Sequence, residues 1–312
     1  MRVANKLSKG MDGEDKSKVI QILAKIDPNN YDVFVRTSNR LCANTDKWLY
    51  KILGFICCEH YLESDEKLII IESLFKVEFN HYQLFVRTVS ALSKCMDGWD
   101  KSLVIAALAE VQPQKYTLEF INTVNALSEG LYITFEVDRL IRALGNVDSR
   151  LYGDELFINT VNTLSIGTHG HCKSYIIEAL ATVVPINYQL FVRAVNELSE
   201  SMDAGDVLFV IQTLAKLDPI NYQLFIDTVN ALSEGMNGKD TIKVIKELAK
   251  VDPLKYTPEF IDTANTLSES MNGDDKSSVI SALTKFDPAN YELFKGIVNA
   301  LSKGMVQMIK YL

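Results

Sequence analysis

The sequence has no excess of basic side chains: 32 Lys and Arg are outnumbered by 40 Asp and Glu, for a formal charge of −8. A phosphate backbone or an anionic bilayer is recognised through a basic field, so neither is an expected partner. Cysteines are few and odd in number. Cys42, Cys57, Cys58, Cys95 and Cys172 show no framework spacing, which fits a reducing compartment. No long apolar run opens the chain. The most apolar stretch, Trp48 to Leu62, is broken by Lys51, Glu59 and His60 and is too short and polar to cross a bilayer. Membrane insertion is therefore not expected. The expected location is cytoplasmic, or outside the cell without a recognisable signal peptide.

Catalytic patterns are missing too. There is no phosphate-binding loop, no Gly-rich dinucleotide turn, no Gly-x-Ser-x-Gly and no His-Glu-x-x-His. The histidines His60, His81, His169 and His171 are scattered. The expectation is a protein that is not an enzyme and takes no cofactor. The best metal candidate is His169-Gly170-His171-Cys172, three donors in four residues. Zinc asks for a fourth donor or a water and none stands nearby in sequence, so this segment reads first as a surface loop. The Asp-rich stretches 11–15 and 271–275 read as turns, because calcium takes its oxygens from a dedicated loop.

What the chain does have is a repeat. A segment of the form Asn-Tyr-x-x-Phe-(Val/Ile)-x-Thr-Val-Asn-x-Leu-Ser-x-Gly-Met-x-Gly-x-Asp-Lys-x-x-Val-Ile-x-x-Leu-x-Lys-x-Asp-Pro keeps returning. Its anchors are Phe34, Phe85, Phe120, Phe157, Phe191, Phe225, Phe260 and Phe294, spaced 34 to 37 residues apart except for one step of 51. Each unit reads as two helices. In helix A the Phe, the residue after it, the one four on and the Leu seven on share a face. Gly130, Gly235 and Gly304 are expected just past its end, in the left-handed conformation. Helix B is expected to be capped by Asp15, Asp100, Asp206, Asp240 and Asp275. It carries a Val-Ile-x-x-Leu face and is expected to stop at Pro28, Pro113, Pro185, Pro219, Pro253 and Pro288.

One such hairpin buries too little apolar surface to offset the ordering of its residues, so units must stack on their neighbours. By unit length and helix–turn–helix form the chain resembles tetratricopeptide-type (TPR-like) or HEAT-like repeats over nearly its whole length, without the Trp-x-x-Leu-Gly pattern of the first family. The resemblance implies an all-α, right-handed-type α-solenoid of about eight to nine units. It also implies a non-enzymatic protein-interaction scaffold with A helices lining the binding face. Residues 1–312 read as a single repeat domain: 1–11 a partial first unit, 31–82 an irregular unit, 83–304 regular repeats and 305–312 a C-terminal stub. In the irregular unit, 46–61 and 64–82 both align with helix B. One first helix is thus missing near residues 59–65, where a break in regularity is expected. Neither end shows a polar capping helix, so weak self-association through the ends, or a place within a longer array, is expected.

Candidate binding residues are those that vary. Two residues after each Phe come Arg36, Arg87, Asn122, Asn159, Arg193, Asp227, Asp262 and Gly296, about 200° from the anchor on a helix. Arg40 and Lys94 share that stripe early in the chain, and Glu197, Glu200, Glu234 and Glu269 late. The stripe is positive first and negative later, so it would orient an extended peptide or a protein surface; randomly charged solvated helix faces are the plain alternative. The Asn five after seven of the eight Phe anchors (Asn39, Asn125, Asn162, Asn196, Asn230, Asn265 and Asn299, with Ser90 in the eighth unit) reads as an inter-repeat hydrogen-bond ladder or a row of amides gripping a peptide. Pumilio-type RNA-binding repeats have similar length and read bases with such residues, but the acidic charge opposes that alternative.

Overall fold

The structure, a computed structural model, describes residues 2–42, 62–94, 96–129, 131, 135–166, 168, 170, 172–200 and 202–309. Among them every regular element is a helix. The chain divides into two compact units: Met1–Ser165 with Gly170–Glu178, and Ile166–His169 with Ala179–Leu312. Unit 1 holds α1 (Arg2–Leu7), α2 (Gly13–Leu23), α3 (Tyr31–Cys42), α4 (Ser64–Lys76), α5 (Tyr82–Leu92), α6 (Gly98–Leu108), α7 (Leu118–Ser128), α8 (Phe135–Asn146) and α9 (Glu155–Leu164). α10 (Cys172–Leu180) spans the division. Unit 2 holds α11 (Tyr188–Ser199), α12 (Ala204–Leu214), α13 (Tyr222–Ser233), α14 (Gly238–Leu248), α15 (Pro258–Leu267), α16 (Gly273–Leu283) and α17 (Tyr291–Ile309). Odd-numbered helices are A helices and even-numbered ones B helices.

Packing follows chain order in two layers. In unit 1 the A helices α3, α5, α7 and α9 touch in sequence, and the B helices α2, α4, α6 and α8 do the same. In unit 2 the rows are α11, α13, α15, α17 and α12, α14, α16. Each unit is thus an all-α stack of helical repeats. The anchors Phe34, Phe85, Phe120, Phe157, Phe191, Phe225 and Phe260 are fully buried. In the last A helix Phe294 is only part-buried and stacks on Phe286, with ring centroids 4.4 Å apart.

A tyrosine joins one repeat to the next. The ring of Phe34 meets Tyr82 at 6.5 Å between centroids, Phe85 meets Tyr116 at 6.0 Å and Phe120 meets Tyr152 at 5.2 Å. In unit 2, Phe191 meets Tyr222 at 6.1 Å, Phe225 meets Tyr256 at 6.2 Å and Phe260 meets Tyr291 at 6.1 Å. Tilted aromatic pairs at these separations add to the area they bury. The hydroxyl reaches the other way. Tyr31, Tyr82, Tyr116, Tyr152, Tyr188 and Tyr256 donate to the carbonyl eight residues earlier, on Leu23, Leu74, Leu108, Leu144, Leu180 and Leu248. Each bond satisfies a C-terminal carbonyl that its own B helix leaves open. One side chain thus ends a helix and zips two repeats.

Helix boundaries differ from expectation in three ways. The caps of B helices are Asp12, Asp97, Asp203, Asn237 and Asn272, whose side chains accept from the backbone N–H two or three residues on. Asp15, Asp100, Asp206, Asp240 and Asp275 stand three positions further in, where a carboxylate favours the helix dipole. The prolines do not end the B helices, which close five residues earlier; Pro28, Pro113, Pro185, Pro219, Pro253 and Pro288 instead open a one-turn 3₁₀ helix. Pro suits a first helical position because that N–H has no partner there anyway. Finally, Gly235 has φ +75° as expected, whereas α17 runs through Gly304 without stopping. Gly130 lies outside the described residues. At the phase of Gly235, Ser270 holds φ +63°, a conformation that its Cβ makes costly.

The extra B-type segment 46–61 lies outside the described residues. Its flanks keep the regular step: α2 packs on α4, the Ser64 hydroxyl donates to the Asp15 carboxylate, and Phe34 meets Tyr82. Both layers therefore carry on from α2 and α3 to α4 and α5.

Candidate functional site

The nine stripe residues all stand on A helices with exposed side chains: Arg36 and Arg40 on α3, Arg87 on α5, Asn122 on α7, Asn159 on α9, Arg193 and Glu197 on α11, Asp227 on α13 and Asp262 on α15. The cause is the helical period, which buries the anchor and turns the residue two positions on away from the core. The stripe falls into two sets. Unit 1 carries Arg36, Arg40, Arg87, Asn122 and Asn159, cationic to neutral, and unit 2 carries Arg193, Glu197, Asp227 and Asp262, mostly acidic.

Some of these groups are already engaged. The Arg36 Nε donates to the Asp32 carbonyl at 3.2 Å, and the Gln223 amide donates to the Asp227 carboxylate at 2.9 Å. Lys295 Nζ reaches Asp262 at 3.0 Å and Glu292 at 2.7 Å. Hydrogen bonds to Glu292 and Asp262 raise the Lys295 pKa. Lys295 thus blunts the acidic stripe at its α15 end, a pairing across 33 residues that no local pattern reveals.

The asparagine phase splits in two. Asn265 Nδ2 donates to the Ala231 carbonyl at 3.1 Å, which is one rung of the expected ladder from α15 to α13. Its Oδ1 accepts from Lys276 Nζ at 2.9 Å, and that ammonium also donates to the Leu232 carbonyl at 2.6 Å. The same design recurs in unit 1, where Lys173 Nζ donates to the Leu127 carbonyl at 2.8 Å, the Glu129 carbonyl at 3.3 Å and Asn162 Oδ1 at 3.2 Å. Both lysines are buried. Desolvation lowers the pKa of each, and at Lys173 the neighbouring Glu136 and Glu129 work against it. A cation at the C-terminus of an A helix complements its dipole and fills its open carbonyls. Asn39, Asn125, Asn196, Asn230 and Asn299 are exposed instead.

Two residues of the metal candidate, His169 and His171, lie outside the described residues; Cys172 is buried at the start of α10. Among the described residues no three His, Cys, Asp or Glu side chains converge as a metal site would require. No single helix among them is long and apolar enough to cross a membrane. The tyrosine bond and the buried lysine were missed in the sequence, although both residues stand in the repeat. The signal was there for the lysine, as a basic residue at one phase of Lys16, Lys67, Lys101, Lys173 and Lys276.

Comparison with protein-family models, with curated proteins and with solved structures finds no match to this chain.

Proposed function

We propose that the chain is a non-enzymatic interaction scaffold of divergent TPR-like or HEAT-like repeats that binds a peptide or protein surface along its A helices. One observation carries the reading: the anchors from Phe34 to Phe260 are buried in both units, while the phase two residues on is exposed and varies among Arg, Asn, Asp and Gly. A position free of packing duty keeps the fold whatever side chain it holds, so its charge is available for recognition. Unit 1 offers a basic and amide-bearing face, suited to acidic segments. Unit 2 offers an acidic face, which repels nucleic acid. The odd set of five cysteines without framework spacing supports a reducing compartment.

The test is a pair of reversals, Arg87→Glu and Asp227→Lys, in the full chain. Proteins retained from extract of the native cell by the unaltered chain should be lost from at least one variant, with the melting temperature unchanged. Identical capture by all three proteins would overturn the reading.

A further inference from the structure

The three most exposed large apolar side chains among the described residues do not lie on the A-helix stripe. They stand at the middle of the 3₁₀ turns that join B to A helices, and only in unit 2. Ile186, Ile220 and Leu254 are 87%, 83% and 86% exposed at the same place in three successive turns, Pro185–Asn187, Pro219–Asn221 and Pro253–Lys255. Ala289 holds the place in the fourth, Pro288–Asn290. In unit 1 that place belongs to Asn29, Asn80, Gln114 and Arg150. The turn therefore folds equally well around a polar residue, and the aliphatic row is not a requirement of the backbone. A row of bare aliphatics aligned across packed repeats marks a contact surface. Val184 and Leu293, 60% and 66% exposed, extend it at either end.

Charge decides the occupant. Each of the last three turns carries an exposed Lys and an exposed Asp around its tip: Lys216 and Asp218, Lys250 and Asp252, Lys285 and Asp287. The aspartates cap the turn by accepting from the N–H of Ile220, Leu254 and Ala289, and Lys250 also holds Glu247. This edge is close to neutral with alternating sign, in a chain whose net charge is −8. It offers no field to a polyanion, a polycation or an anionic bilayer. It does match itself. A two-fold axis between the second and third turns sets Ile220 against Leu254, Ile186 against Ala289 and Leu293, and the Lys216–Asp218 pair against the Lys250–Asp252 pair of the other copy, where Lys can meet Asp. We infer that the turn edge of unit 2 is a docking surface for a second copy of this chain, independent of the A-helix stripe.

Sedimentation equilibrium of the full chain, from about 1 to 100 µM, tests it. The variant Ile220→Asn with Leu254→Gln installs residues that unit 1 already carries there, and Leu301→Asn alters the exposed apolar face of α17 near the chain end. The unaltered chain and Leu301→Asn should form dimers alike. The double variant should weaken dimerisation at least about tenfold, with its melting temperature kept. A monomer at every concentration, or a dimer that the double variant leaves intact, overturns the inference. So does a chain that stays monomeric and floats with phosphatidylcholine vesicles, which would give the row to a lipid surface.

Discussion

Tyr256 and Tyr222 occupy the same position one repeat apart, yet their hydroxyls differ. Tyr256 donates to the Leu248 carbonyl at 2.8 Å and the Val251 carbonyl at 3.1 Å, while the Tyr222 hydroxyl is buried without a hydrogen-bond partner among the described residues. A buried bond of this kind is worth about 1 kcal/mol, and a buried unpartnered hydroxyl costs a similar amount. Tyr256→Phe should therefore lower stability by about 1–2 kcal/mol in urea unfolding, and Tyr222→Phe should leave it unchanged or raise it. Equal losses would show that the phenyl ring alone matters. Burial also pushes the Tyr152 and Tyr222 phenols up to about 12, and raises those of Tyr82, Tyr116, Tyr256 and Tyr291. Phenols in the unfolded chain ionise near pH 10. The folded state holds its protons longer, so this contribution is whole below pH 10 and is lost as pH climbs towards 12. The share of the phenolate absorbance that belongs to these six tyrosines, read as the difference from single Tyr→Phe variants, should rise together with the loss of helical circular dichroism, above pH 10. Ionisation of these six near 10 with the helices intact would contradict it.

At the scale of the element, the reading of boundaries went wrong by one helical turn. An Asp before an apolar run is a good cap on paper, and Asp206 meets that description, but the earlier Asp203 takes the role by accepting from the N–H of Gly205 at 3.0 Å and Asp206 at 3.1 Å. Two acidic residues three apart present the same signal, and only the backbone turn between them decides. Asp203→Ala should cost about 1 kcal/mol in thermal unfolding, and Asp206→Ala a few tenths through the dipole alone. The reverse order would return the cap to Asp206. Existence and pairing of the helices were legible, because the Phe and Leu anchors repeat at a helical period and are buried from Phe34 to Phe260; in the last A helix Phe294 is only part-buried and Leu301 is exposed. The tyrosine bond was not legible, because eight residues across a turn carry no periodic signal. The pairing of Lys295 with Asp262 needs two helices already stacked. The expected stripe was legible as exposure, and its division between two units was not, since the repeat runs on through residue 165 without a change of pattern.

Over the whole molecule the same separation recurs: contacts between successive repeats supply cohesion, and outward phases are left to vary in charge or in apolar character. Each repeat borrows its core from the neighbours, as in a linear array where stability is a sum of local and nearest-neighbour contributions. Such an array loses protection locally when one joint is weakened. The most direct measurement is amide hydrogen exchange on Phe225→Leu, which loosens the joint between Phe225 and Tyr256 (rings 6.2 Å apart). The account predicts faster exchange in α13, α14 and α15, fading by α17 within the same unit. Equal acceleration in every helix of unit 2 would mean one undivided core and would contradict it.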